Sequence, residues 1–234
     1  MAQDPFTDAR DAVTAHFPQA RWALLTGSVT TDARTPGSDL DIVVRLPDGD
    51  PAAGRSSLRW RGWPVEFFAN DEAGHRHYLG LEPAARRPVM HRMIARGVPV
   101  HGDGDPELAA WRAECAAFLA AGPGAPEPAA LDRERYMLTD LIDDLEHARD
   151  EGERVTIAAQ LWLAAANLAL LAAGHWTGTG KWLLRELRDL DPALAARWTE
   201  ARHAPAGFAR EVLDGAGGAL FDGYSAASAS SSSR

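Results

Sequence analysis

Cysteine and lysine are almost missing from this 234-residue chain: Cys115 and Lys181 stand alone, and basic residues number 24 against 33 acids. One cysteine excludes an internal disulfide and a cysteine metal cluster. Its place in an Ala-rich, helix-like stretch marks it as a small buried hydrophobe. No unbroken apolar run reaches the roughly 18 residues that span a bilayer, because the best candidate, 157–173, is interrupted by Gln160 and Asn167; no membrane partner is expected. The opening Met1-Ala2-Gln3-Asp4-Pro5 lacks the basic and apolar regions of a secretory signal, so the expected location is cytoplasmic. The formal charge of −9 disfavours nucleic acid as a partner, since that binding runs on phosphate neutralisation by basic patches.

What is present is ordinary for a globular chain: 46% hydrophobic and 24% charged residues, at a length that suits one or two domains. The acidity is uneven, with 19 of the acids but only 12 of the basic residues after position 105. The first half reads as α/β, with a helix over 7–17 and apolar β runs at 22–26, 40–46 and 65–69 between Gly, Pro and Asp punctuation. From Pro106 the chain turns Ala- and Leu-rich with helical spacing at 107–121, 131–150, 155–173, 180–189 and 192–202. The Gly/Pro-rich stretch 122–128 cannot continue a helix and reads as a connection. The expected organisation is therefore an α/β domain over 1–105, a helical bundle over 106–224, and a disordered small-residue tail over 225–234.

The chemistry concentrates between Leu24 and Val44. A β run ends at Gly27-Ser28, where glycine permits close approach of a ligand to the backbone and serine adds a hydroxyl; alone, such a pair is more often a plain turn. Asp39 and Asp41 stand two apart at the head of an apolar strand, so both carboxylates share a face while Leu40 and Ile42 take the other. Two like charges so placed call for a cation, and oxygen-only ligands suit Mg²⁺. Glu66 is the one charge in the apolar run Trp63-Pro64-Val65-Glu66-Phe67-Phe68-Ala69 and needs a partner, a metal, or water on an exposed face. If that strand pairs beside 39–44, three carboxylates meet at one sheet end, enough for two divalent ions.

Gly27-Ser28, Asp39-Leu40-Asp41 and Glu66, in this order and context, resemble the signature of the nucleotidyltransferase superfamily that includes DNA polymerase beta and the aminoglycoside nucleotidyltransferases. The resemblance covers roughly the first hundred residues, closing with the helix-turn-strand at 93–102. It implies an α+β nucleotidyltransferase domain with a small mixed sheet. It also implies a two-Mg²⁺ site on Asp39, Asp41 and Glu66, with Gly27, Ser28 and Ser38 at the nucleotide. An acceptor hydroxyl would attack the α-phosphorus of a nucleoside triphosphate and release pyrophosphate. Within the family the third acid serves as metal ligand or as base, and both roles stay open for Glu66. The helical half is similar in layout to the bundles appended to antibiotic nucleotidyltransferases, in which Lys181 would meet the nucleotide's phosphates.

The stretch 132–153 holds nine acids and three arginines. Such a run is either a solvated helix face or, for Glu134, Asp140 and Asp144, a site for a cationic acceptor such as an aminoglycoside. Transfer of AMP to a small-molecule hydroxyl is the favoured activity. Alternatives are a protein or RNA acceptor, as in toxin–antitoxin nucleotidyltransferases, or a non-catalytic nucleotide-binding module; the chain would act as monomer or homodimer. His75 and His77, near Asp71 and Glu72, lack a further ligand for a zinc site. Trp60, Trp63 and Trp182 are candidates for stacking on a base or sugar, and otherwise core.

Overall fold

The computed structural model describes residues 4–225, so nearly all of the tail at 225–234 lies outside the described residues. Two compact units divide at Ala121/Gly122.

The first unit opens with α1 (Pro5–His16), started by the Asp4 carboxylate, which accepts from the Phe6 and Thr7 N–H groups ahead of Pro5 in the first turn. There follow β1 (Trp22–Thr26), β2 (Leu40–Arg45), β3 (Gly54–Trp60), β4 (Trp63–Asn70), α2 (Glu72–Ala85), α3 (Val89–Arg96), β5 (Val98–His101) and α4 (Pro106–Ala121). The sheet runs β3-β4-β2-β1-β5, with β2 and β4 parallel and the other neighbours antiparallel. Alternation sorts the apolar strands into two layers. Leu25, Leu40, Ile42, Val44, Val65 and Phe67 pack with Ala9, Ala12 and Val13 of α1. Trp22, Leu24 and Val43 pack on the other side with Leu79, Ile94, Leu108, Trp111 and Cys115.

Here the structure departs from the expected boundary at 105/106. The α4 helix belongs to the sheet unit, because its stripe Leu108, Trp111 and Cys115 completes the second layer. Its first turn is tied there as well: Glu107 accepts from the nearly buried Arg45 guanidinium at 2.9 Å, from the Trp22 indole at 3.3 Å, and from Arg21. His75 is likewise core: its ring lies between Trp22 and Trp111, and Nε2 meets the Val44 carbonyl at 3.0 Å. Burial pushes the imidazole down to about 4 and the Cys115 thiol up to about 12.

The second unit contains α5 (Pro128–His147), α6 (Glu151–Ala172), α7 (Lys181–Leu190), α8 (Pro192–Glu200) and α9 (Ala206–Gly215). Asp150 and Asp191 cap α6 and α8 through side-chain bonds to backbone N–H groups. By length and composition α6 is apolar enough to cross a membrane, with a mean hydropathy of 1.8 over its best window. Its buried face, Leu161, Ala165, Leu168 and Leu170, lies in a core shared with Leu138, Leu183, Leu187, Trp198 and Leu213. Trp162 and Trp198 stack at 4.1 Å with ring planes 2° apart. Each indole N–H donates to the other residue's carbonyl at 2.8 Å.

Candidate active site

Three strand ends meet where the motif residues lie. β1 runs into Gly27 and Ser28; β2 begins at Leu40, just after Asp39; and β4, parallel to β2, begins at Trp63. Register then fixes the neighbours: Thr26 pairs with Asp41, and Asp41 with Glu66. Adjacent strands stand about 4.8 Å apart, so the two carboxylates rise side by side from one face. Asp39 lies two residues before Asp41 and is half-buried like it.

Gly27 is required twice over. Its φ of +85° is one that L side chains rarely adopt, and a Cβ there would lie 2.5 Å from Oδ2 of Asp41. The backbone thus closes against the carboxylate as no other residue would allow. Ser28 to Thr30 form a short 3₁₀ turn, held by the Thr30 hydroxyl donating to the Gly27 carbonyl at 3.0 Å. Ser38 is buried, and its hydroxyl accepts from the Thr35 N–H at 3.0 Å and meets the Ser28 hydroxyl at 2.9 Å. It braces the 31–39 loop behind Ser28.

Glu66 has a protein partner that sequence reading missed. Arg55 of β3 reaches Oε1 of Glu66 through Nε at 2.9 Å and Nη2 at 2.8 Å, and its guanidinium also lies over Phe68 at 5.0 Å. The only available signal was the hairpin. Leu58 and Trp60 alternate with polar residues before Arg61-Gly62, both at positive φ, which turn β3 into β4.

Trp63 is a core residue, 8% exposed, whose indole N–H donates to Asp8 at 3.0 Å. Trp60 packs against the same layer, while Trp182 is half-buried under the Arg185 guanidinium.

In the helical unit Lys181 is exposed in the first turn of α7. Asp140 and Asp144 sit one turn apart on α5, whereas Glu134 is rotated from Asp140 by about 120° at 3.6 residues per turn. The three acids therefore do not share one face. Asp144 lines a groove at the α5–α6 turn with His147, Glu153 and Thr156, and Glu134 pairs with Arg133 at 3.1 Å.

The donor set of Asp39, Asp41 and Glu66 is oxygen-only, with Asp41 and Glu66 on neighbouring strands and Asp39 just ahead of β2, a chemistry that fits Mg²⁺ and not a softer metal. No protein-family model and no curated protein matches the chain. Among solved structures it is similar to a nucleotidyltransferase-like protein from Exiguobacterium sibiricum, at a TM-score of 0.44 and 13% identity over 90% of this chain and 75% of that one.

Proposed function

We propose that the protein is a Mg²⁺-dependent nucleotidyltransferase that moves a nucleoside monophosphate, AMP being favoured, from a nucleoside triphosphate to a hydroxyl of a small cationic molecule. One observation carries the reading: strand register and a glycine that tolerates no side chain bring Gly27, Asp41 and Glu66 together at one sheet end, with Asp39 beside them. Carboxylates brought this close favour a divalent cation among them, beside the Arg55 guanidinium that Glu66 already meets.

In this reading Asp39 and Asp41 hold Mg²⁺, which when bound neutralises charge on the triphosphate and on the leaving pyrophosphate. Gly27 lets the phosphates approach the main chain, and Ser28 donates its hydroxyl while Ser38 keeps that hydroxyl oriented. Glu66 has two available parts: ligand beside Asp41, or base for the acceptor hydroxyl at hydrogen-bond reach. Arg55 orients Glu66 through Oε1. Lys181 at phosphate, and Glu134, Asp140 and Asp144 at a cationic acceptor, rest on sequence chemistry: a compact ammonium suits phosphate, and an acidic helix suits polyamines.

The test is pyrophosphate release from each of the four ribonucleoside triphosphates with Mg²⁺, across aminoglycosides, lincosamides and no acceptor. Acceptor-dependent release should fall by about a hundredfold or more in Asp39→Asn and Asp41→Asn. Triphosphate binding without release for any small acceptor would overturn the small-molecule assignment and direct attention to a protein or RNA acceptor. Absence of Mg²⁺-dependent triphosphate binding would overturn the enzyme reading altogether.

A further inference from the structure

A second cluster of ligand-type side chains lies wholly within the helical unit. His175 follows α6 in a Schellman turn: the Gly174 N–H donates to the Leu171 carbonyl at 2.9 Å, the His175 N–H donates to the Leu170 carbonyl at 2.8 Å, and Gly174 takes φ +65°. This turn fixes the root of the imidazole. Glu186 and Asp189 stand three residues apart on α7 and so share a face. Glu186 is 2% exposed, whereas Asp189 lies at the surface.

The separations are informative. His175 Nε2 lies 3.5 Å from Oε2 of Glu186 and 3.6 Å from Oδ2 of Asp189, and the three ligand atoms all fall within 4.8 Å of one another. A good N–H···O bond would draw such atoms to about 2.7–3.2 Å. Two ligands on a tetrahedral ion, with bonds of about 2.1 Å, stand about 3.4 Å apart. Both His175 separations match those of ligand atoms gathered around one cation. One imidazole with two carboxylates selects a borderline divalent ion; without thiolates it does not suit Cu(I), and the imidazole disfavours Mg²⁺ and Ca²⁺.

We propose that His175, Glu186 and Asp189 bind a zinc-like divalent cation that clasps the 173–180 loop to α7, with water completing the coordination. The Asp189 side chain, 76% exposed, opens an entry path and can turn inward to close the set. Gly178 already brings the loop against α7, because a Cβ there would strike the Leu183 backbone N at 2.7 Å. The clasp would fix the loop immediately ahead of Lys181. This site is independent of the carboxylates at the sheet end.

The test uses the full chain, stripped with chelator, in an Asp39→Asn/Asp41→Asn background so that the sheet-end carboxylates contribute little. Zn²⁺ titrated by calorimetry should bind one per chain and raise the melting temperature by several degrees. Co²⁺ should give the visible absorption of a tetrahedral nitrogen/oxygen site. Two further variants at accessible positions, His175→Gln and Asp189→Asn, should each weaken Zn²⁺ binding by about tenfold or more and abolish the thermal shift. Equal Zn²⁺ affinity in the parent and both variants, or no binding by the parent, would overturn the proposal.

Discussion

In the sheet unit the proposed reacting groups are held by the backbone itself. Asp41 and Glu66 are adjacent because β2 and β4 pair in parallel, and Asp41 faces Gly27 because β1 ends there. In the helical unit the corresponding acids project from a helix surface, with Asp140 half-buried and Asp144 exposed, and nothing in the main chain draws Glu134 to their face. Register fixes the points from which neighbouring strand side chains project, whereas side chains on different faces of a helix are drawn together only by what they bind. Chemistry that needs fixed distances belongs on the former, and charge recognition of a flexible acceptor suits the latter.

The sharpest way to break this contrast is to disturb the close approach of the chain to Asp41 without replacing a carboxylate. Gly27→Ala forces a side chain into a positive-φ position and onto Asp41. It should cost about 2 kcal/mol in stability and lower pyrophosphate release by about a hundredfold. Full activity in that variant would mean that the close approach is dispensable. In the helical unit an equally deep change should act on stability alone. Leu168→Ala empties part of its core and should lower the unfolding free energy by about 3 kcal/mol, with Mg²⁺-dependent triphosphate affinity intact below the melting range. Loss of that affinity would erase the distinction between positioning and supporting regions.

A third probe reads the sheet unit through pH. His75 is buried neutral, with its value lowered from 6.5 to about 4. Between those values the unfolded chain binds a proton that the folded one refuses, so stability rises with pH across this window. The full contribution is present above pH 6.5 and is lost as pH falls toward 4, about 3 kcal/mol in all. Denaturant midpoints measured across this range should fall with acid in the parent and change less in His75→Gln; parallel curves would remove the histidine as the cause. The smallest effect is expected on α5. Asp140→Asn with Asp144→Asn should weaken a cationic acceptor by about three- to tenfold, more at low salt, and leave triphosphate binding unchanged. An unchanged acceptor affinity at low salt would end the acidic-face assignment.

The same contrast explains what could be read in advance. Strands β1 and β2 follow their apolar runs almost to the residue, since both faces are covered and the signal is continuous. The helices α4 to α8 likewise follow from apolar spacing, and α8 from its Asp191-Pro192 start, although α5 ends at His147 and α6 begins at Glu151, three to four residues before the expected 150 and 155. Missed were α9, together with β3, whose Arg and Ser residues lie on an exposed sheet edge, and α2, whose buried stripe is His75, Leu79 and Glu82 and so does not look apolar. At the site, Asp39, Asp41 and Glu66 were legible as types and spacing, and their adjacency followed only if β4 paired with β2. Arg55 was not legible, because it arrives from the missed strand. The His175, Glu186 and Asp189 cluster was hidden for a related reason: only the folding back of the 173–180 loop brings its members together. The ownership of α4 turned on three apolar residues that match the sheet's second layer, a pairing that periodicity within the helix does not encode.

The two stacked indoles of Trp162 and Trp198 give the helical unit an optical signature of its own. Nearly parallel chromophores 4.1 Å apart, each hydrogen-bonded to the other's backbone, shield each other from solvent and lie close enough for their excited states to couple, so their ultraviolet signal reports on this contact. That signal exists only while α6 and α8 are packed. Its disappearance on heating or in denaturant therefore times the melting of this unit by light alone, with no label attached.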